Sequence, residues 1–141
     1  GLAARDTLRL EAGMLLYGQD MDESTTPLES GLGWIVNWQR DDRDFIGKGA
    51  LVSQKQHGLK RKLVGLTLQD KGIMRTGQRV LVDGYADGII TSGTFSPTLG
   101  QSIALARVPI ETTDTVFVEI RGKQHLAQVG KPRFVKQGKA I

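Results

Sequence analysis

The chain has 141 residues, of which 39% are hydrophobic and 24% charged, so it can bury a core without a disulfide or a metal ion. It contains no cysteine, which excludes a disulfide scaffold, a thiolate zinc site and a cysteine nucleophile. The net charge of +4 comes from scattered basic residues, which favours a solvated basic surface over an anion site and gives nucleic-acid binding little support. No apolar run approaches the ~20 residues that cross a membrane.

The first predicted element is a helix over residues 2–12. Apolar residues there recur at helical spacing among strong helix formers, and Gly13 ends the pattern. The apolar run from Met14 to Tyr17 fits either a buried strand or a loop. The polar and acidic residues 18–26 predict a loop.

Four further elements are predicted between residues 26 and 58. Thr26 followed by Pro27 is typical of a helix start. Next come an apolar run that predicts a strand, a charged run that predicts a turn, and helix formers that predict a second helix closed by a glycine. The strand is predicted at 34–38, the turn at 40–44 and the second helix at 49–56, and Gly58 is the glycine that closes this helix.

Beyond residue 59, short apolar or alternating runs are separated by turn residues, a pattern typical of a small all-β barrel or sandwich. We therefore predict an α+β protein in which a short helix-containing segment precedes a small C-terminal antiparallel β-barrel. The predicted domains are 1–58 and 59–141. The predicted strands lie at 63–68, 79–82, 88–91, 103–108, 115–120 and 126–129.

Signatures of catalysis are absent from the sequence. There is no GxSxG elbow, phosphate-binding loop or HExxH motif, and two isolated histidines, His57 and His125, give no metal site. We expect His57 to be exposed. The hydroxyl-rich stretch 91–100 predicts a loop between two strands, either a tight turn across a barrel end or the lining of a ligand site.

Arg5 is the best single candidate for contact with an anion. An arginine binds a carboxylate through two parallel hydrogen bonds, in a geometry that its planar head determines. The alternatives are an ion pair with Asp6 or Glu11, or a guanidinium that faces solvent.

Five longer stretches carry motifs of one known family in the correct order. They are GLAARDTLRLEAGMLLYG at 1–18, GQDMDESTTPLESGLGW at 18–34, RDFIGKGAL at 43–51, ITSGTFSPTLGQSIALARV at 90–108 and KPRFVKQGKAI at 131–141. Together they resemble the C-terminal portion of the T-protein of the glycine cleavage system. The chain starts without Met inside a helical pattern, so we expect it to begin within a longer protein, with removal of the initiator Met as the alternative.

The resemblance implies a tetrahydrofolate-dependent aminomethyltransferase. Such an enzyme takes the aminomethyl group from the lipoyl arm of H-protein, releases ammonia and transfers the one-carbon unit to tetrahydrofolate. The family fold has three parts around a central folate hole, and the last is a β-barrel. Its catalytic aspartate and a folate-contacting glutamate lie upstream of the matched portion, so no catalytic residue is expected here and this part alone is expected to be inactive. The implied location is the bacterial cytoplasm or the mitochondrial matrix.

Three residues are carried over by the resemblance as candidates for substrate or folate binding. Arg5 in AARDTLRLE matches the family's substrate-contacting arginine. Tyr17 in LYG is a weaker candidate for support of the cleft, with core packing as the alternative. Lys139 is a weak candidate near the C-terminus, where some relatives have a tyrosine.

Two other readings of the sequence remain open. One is the folate-binding end of a dimethylglycine or sarcosine dehydrogenase-like enzyme, and the other is a non-catalytic barrel module that docks a partner. Because the front portion of such a family member is absent from this sequence, the apolar faces of the first helix and of the strand at 34–38 would lack the partners against which they normally pack. The isolated chain is therefore expected to self-associate, or to be mobile over its first ~40 residues.

Overall fold

The computed structural model describes residues 1–39 and 42–141. The described part of the chain contains two helices, one single-turn 3-10 helix (Gly33–Ile35) and eight strands, joined by turns and loops. The helices are α1 (Leu2–Glu11) and α2 (Lys48–His57). The strands are β1 (Arg61–Leu68), β2 (Arg79–Leu81), β3 (Gly88–Ser96), β4 (Gln101–Pro109), β5 (Thr115–Ile120), β6 (Lys123–Gly130), β7 (Val135–Lys136) and β8 (Lys139–Ala140).

Strands β1 to β6 form a closed barrel in the order β1-β4-β3-β2-β5-β6, and every pairing is antiparallel. Alternate residues of each strand point inward, as the period of two requires. The interior is filled by buried aliphatic side chains that include Val64, Leu66, Leu68, Val80, Ile90, Ala104, Ala106, Val108, Val116 and Val118. The predicted fold class is confirmed, and all six predicted strands coincide with barrel strands.

Helix α1 packs on the outer surface of the barrel, over β3 and β4. A second apolar cluster fills this contact, in which Leu10 of α1 meets Ile103 and Leu105 of β4, together with Leu63 and Phe134. All five side chains are buried. Strand β4 is therefore buried on both faces, which explains why its sequence is apolar almost throughout.

The helices predicted at 2–12 and 49–56 are confirmed, but two predictions between them are wrong. The segment from Thr26 forms turns rather than a helix, since Gly31 follows within one turn. The predicted strand at 34–38 is instead a 3-10 turn in which Trp34 is 80% exposed. None of the strands in the described part of the chain pairs with this segment, so its backbone hydrogen bonds are not those of a sheet. Residues 40 and 41 of the predicted turn at 40–44 lie outside the described residues.

The stretch 91–100 is also corrected by the structure. Strand β3 continues to Ser96, and only residues 97–100 form the turn to β4. A bulge between Ile90 and Ser92 shifts the register of β3 against β4. The extra residue re-aims the hydroxyl side chains that follow, so that they face α1 and the loop after it instead of solvent.

Candidate functional site

Arg5 is exposed on α1, at the edge of a groove of about 420 Å³. No hydrogen bond or ion pair joins its guanidinium to another described residue. Both alternatives that named an ion-pair partner are therefore wrong, and the guanidinium faces the groove and solvent. The groove is lined by Arg5, Asp6, Leu8, Arg9, Ala12, Met14, Leu15 and Leu16. Its apolar walls beside one unpaired cation suit an anionic group attached to an apolar body.

Arg9 lies one helical turn after Arg5, and all three nitrogens of its guanidinium donate hydrogen bonds. Its Nε donates to Asp6 Oδ1 at 2.7 Å, its Nη1 donates to Asp20 Oδ2 at 2.7 Å, and its Nη2 donates to Ser92 Oγ at 2.9 Å. Nη1 also contacts the carbonyl oxygen of Met14 at 3.2 Å. The side chain is 10% exposed. The planar guanidinium can satisfy several acceptors at once, and here it joins α1, the loop after it and β3.

Asp20 is the centre of this contact, and its side chain is fully buried. Besides Arg9, its carboxylate accepts hydrogen bonds from the Thr91 hydroxyl at 2.6 Å and from the Leu16 amide at 2.9 Å. A buried carboxylate is tolerated only when a cation and several donors surround it. We call Arg9, Asp20, Thr91, Ser92 and Arg107 the Asp20 cluster.

Arg107 on β4 contributes the other cation of the cluster. Its Nη2 donates to the backbone oxygen of Asp20 at 2.7 Å and to Ser30 Oγ at 3.3 Å. Its Nε is buried and has no protein partner among the described residues. Burial, followed by the nearby charge of Arg61, lowers the pKa of Arg107 from its ordinary value. The guanidinium nevertheless stays charged at neutral pH, because the ordinary pKa of an arginine lies far above neutrality.

The end of α1 is anchored by a second buried carboxylate. Glu11 is 5% exposed and accepts hydrogen bonds from the hydroxyls of Ser96 and Thr98. The backbone oxygen of Glu11 accepts from the Phe134 amide at 3.0 Å. Both acidic side chains of α1, Asp6 and Glu11, are thus bound by groups other than Arg5.

Tyr17 and Lys139 do not line the Arg5 groove. Tyr17 is 65% exposed in the loop after α1, where its backbone pairs with Met21, so the core-packing alternative is wrong. Lys139 is exposed on β8, opposite Lys136 of β7. Whether either contacts a ligand stays a prediction. Neither histidine lines the Arg5 groove. His57 is exposed on α2, as expected, and His125 lies on β6, where its Nδ1 is 3.0 Å from Asp70 Oδ2.

Sequence reasoning missed the Asp20 cluster. One signal was available, because Asp6 and Arg9 are three residues apart on a helix and such residues are neighbours. Nothing local distinguished Asp20 from the other acids of its loop. Its importance arises from Thr91 and Arg107, which lie 71 and 87 residues further along the chain.

A larger apolar groove of about 920 Å³ lies between the start of α2 and the segments that precede it in the chain. Helix α2 has no buried residue. Its contacts with the segments before it include the hydrogen bond that Gln54 donates to Glu29 at 2.9 Å and the Lys55 ammonium, which lies 4.5 Å from the ring centre of Trp38. Ile46 at the rim is fully exposed. Across the described residues, no helix is long and apolar enough to cross a membrane, and no three His, Cys, Asp or Glu side chains gather as metal ligands.

Comparison with known proteins places this architecture in a defined class. The family profile described as "Glycine cleavage T-protein C-terminal barrel domain" matches residues 61–136, which span the barrel. A second profile, "GCVT N-terminal domain", matches residues 1–40, which contain α1 and the loop that carries Asp20. The chain belongs to the glycine cleavage T-protein family.

Individual relatives agree with the family profiles. The chain is 74% identical over all 141 residues to an aminomethyltransferase of Legionella pneumophila (strain Corby), and 56% identical to one of Methylococcus capsulatus. The crystal structure of glycine cleavage system aminomethyltransferase T from Bartonella henselae matches with a TM-score of 0.89 and 36% identity. The chain is covered completely in each case, but it spans 39% of the two curated relatives' length and 40% of the solved chain.

Proposed function

We propose that this chain forms the C-terminal part of an aminomethyltransferase of the glycine cleavage system, which transfers a one-carbon unit from the aminomethyl-lipoyl group of H-protein to tetrahydrofolate and releases ammonia. The observation that carries the proposal is the 74% identity to an aminomethyltransferase, which extends over the whole chain. We further propose that residues 1–58 complete the folate-binding domain and that residues 59–141 form the barrel domain. The catalytic aspartate would lie in the longer protein, outside this sequence.

Arg5 is the residue of this chain that fits a folate. Its unpaired guanidinium suits a carboxylate or another anionic group, and the apolar walls of its groove suit an uncharged portion of the ligand. When bound, tetrahydrofolate supplies the nucleophilic nitrogens that accept the one-carbon unit. The part assigned to this chain is binding and orientation, which can lower a reaction barrier by bringing two reactants together.

The proposed partner is the lipoylated H-protein, and the proposed location is the bacterial cytoplasm, with the mitochondrial matrix as the alternative. The curated relatives described above are bacterial, which favours the first location. The lipoyl group would come from the partner and not from this chain. Tyr17 and Lys139 remain candidates for contact with the ligand or the lipoyl arm, because both are exposed.

Replacing Arg5 by glutamine in a protein with the length of the relatives is expected to raise the KM for tetrahydrofolate about 10- to 100-fold. That range corresponds to the loss of one charge-assisted contact of ~1.5–3 kcal/mol. Steady-state kinetics with lipoylated H-protein as donor measures both KM and kcat. Arg75→Gln is the matched control, since Arg75 is exposed on the turn before β2. Equal KM values in the two variants would contradict the assignment of Arg5.

We also propose that the isolated chain self-associates through the groove beside α2. Ile46 is exposed at its rim, next to Phe45, Ile35 and Leu51. Ile46→Glu is expected to shift the chain towards monomer in sedimentation velocity, because a charge at the rim opposes burial of the groove. Ile141→Glu places the same substitution on another exposed isoleucine and is expected to leave association unchanged. A wild-type chain that is monomeric at every concentration would rule the proposal out.

A further inference from the structure

The Arg5 guanidinium is unpaired although α1 carries two carboxylates close to it in sequence. Asp6 is the next residue, its side chain is 46% exposed, and it lines the same groove as Arg5. Glu11 is the other acid of the helix, and it is buried against Ser96 and Thr98. An intramolecular carboxylate near Arg5 would compete with an anionic ligand, because its effective concentration is on the order of millimolar or more.

Arg9 binds Asp6, the acid that lines the Arg5 groove among the described residues. Its Nε contacts Asp6 Oδ1 at 2.7 Å, three residues back along the helix. The rest of its guanidinium cannot turn away, because Nη1 binds the buried Asp20 and Nη2 binds Ser92. The orientation of Nε towards Asp6 is thus set from the barrel side, by residues on β3 and in the loop after α1.

We propose that Arg9 is a positioning residue for Arg5: by binding Asp6 from a site anchored on Asp20 and Ser92, it keeps the carboxylate away from Arg5 and leaves that guanidinium free for the anionic group of the ligand. The inference rests on the proposed function of Arg5. It explains why the helix combines two arginines one turn apart, an arrangement whose mutual repulsion is otherwise unfavourable. Asp6 and Asp20 neutralise Arg9, and the ligand neutralises Arg5.

The direct test is Arg9→Lys in the protein at the length of the relatives. A lysine retains a positive charge beside Asp20, but its single ammonium group cannot reproduce the planar fork that also binds Asp6 and Ser92. Asp6 is then released to Arg5. The dissociation constant of tetrahydrofolate, measured by titration calorimetry, is expected to rise about 2- to 5-fold, the range set by an exposed ion pair.

The double variant Arg9→Lys with Asp6→Asn separates this role from a structural one. Removal of the released carboxylate is expected to restore the dissociation constant of the wild-type protein. A purely structural defect of Arg9→Lys would persist in the double variant, and that result would overturn the inference. An unchanged dissociation constant in Arg9→Lys would overturn it as well.

Leu2→Glu tests the same idea without disturbance of the buried cluster, and it decides the question if Arg9→Lys lowers the thermal unfolding midpoint. Leu2 is 81% exposed and lies three residues before Arg5, so a glutamate there adjoins Arg5 and is beyond the reach of Arg9. Its dissociation constant is expected to exceed that of Leu2→Gln about 2- to 5-fold. Equal values in these two variants would overturn the inference.

Arg5→Gln measured in the same series distinguishes the two levels of the proposal. A weakened affinity in Arg5→Gln, with native affinity in Arg9→Lys and Leu2→Glu, would overturn the positioning role alone. Native affinity in Arg5→Gln would overturn both the assignment of Arg5 and the inference built on it.

Discussion

Asp20→Ala is expected to lower the free energy of unfolding by about 3–5 kcal/mol, since removal of one partner of a buried ion pair leaves the other charge without compensation. Asp20 is fully buried, and the substitution removes the acceptor for Arg9, Thr91 and the Leu16 amide together. Urea denaturation of the 141-residue chain, followed by circular dichroism, measures the change.

Asp22→Ala is the matched control for this substitution. Asp22 lies two residues away in the same loop and is exposed, and its carboxylate accepts hydrogen bonds from the amide and the hydroxyl of Ser24. Its replacement is expected to lower the free energy of unfolding far less than that of Asp20, because the Asp22 carboxylate is solvated. If Asp20→Ala were as mild as Asp22→Ala, the Asp20 cluster would not stabilise the contact between α1 and the barrel.

Gly13→Ala is expected to destabilise the chain by about 2–5 kcal/mol through two additive effects. The backbone of Gly13 has φ of +76°, where an alanine costs about 1–2 kcal/mol. A Cβ atom at this position would also overlap the carbonyl oxygen of Pro132 and lie 3.1 Å from Arg133 Cα. Overpacking against backbone costs a further ~1–3 kcal/mol, because neither segment can withdraw without loss of the contact between α1 and the C-terminal stretch.

Gly18→Ala separates the two effects of Gly13→Ala in the same denaturation assay. Gly18 has φ of +91°, but no atom lies within 4 Å of a Cβ built there. Its replacement is expected to show the conformational cost alone, about 1–2 kcal/mol. A Gly13→Ala variant no less stable than Gly18→Ala would mean that the C-terminal stretch yields easily and is not packed firmly against the end of α1.

The sequence by itself determined the elements whose signals are local. Helices α1 and α2 were predicted to within two residues at each end. Their signals are the helical spacing of residues and a glycine just after the last turn, and both are read from neighbouring positions in the sequence. The six barrel strands were predicted from alternation and turn residues, which are also local. The whole-chain resemblance to one family added the proposed chemistry and the candidate Arg5.

Only the tertiary structure decided the conformation of residues 34–38 and the partners of the charged side chains around α1. A strand at 34–38 was a reasonable expectation from apolar content, but a strand forms only where a neighbour accepts its hydrogen bonds, and no strand among residues 1–39 and 42–141 pairs with this segment. Thr91 and Ser92 were predicted to lie in a loop. In the structure they lie at the bulge of β3, and their hydroxyls bind Asp20 and Arg9. The energies of buried charges depend on partners more than 70 residues away, so no local pattern could have shown which acid is buried and which arginine is left unpaired.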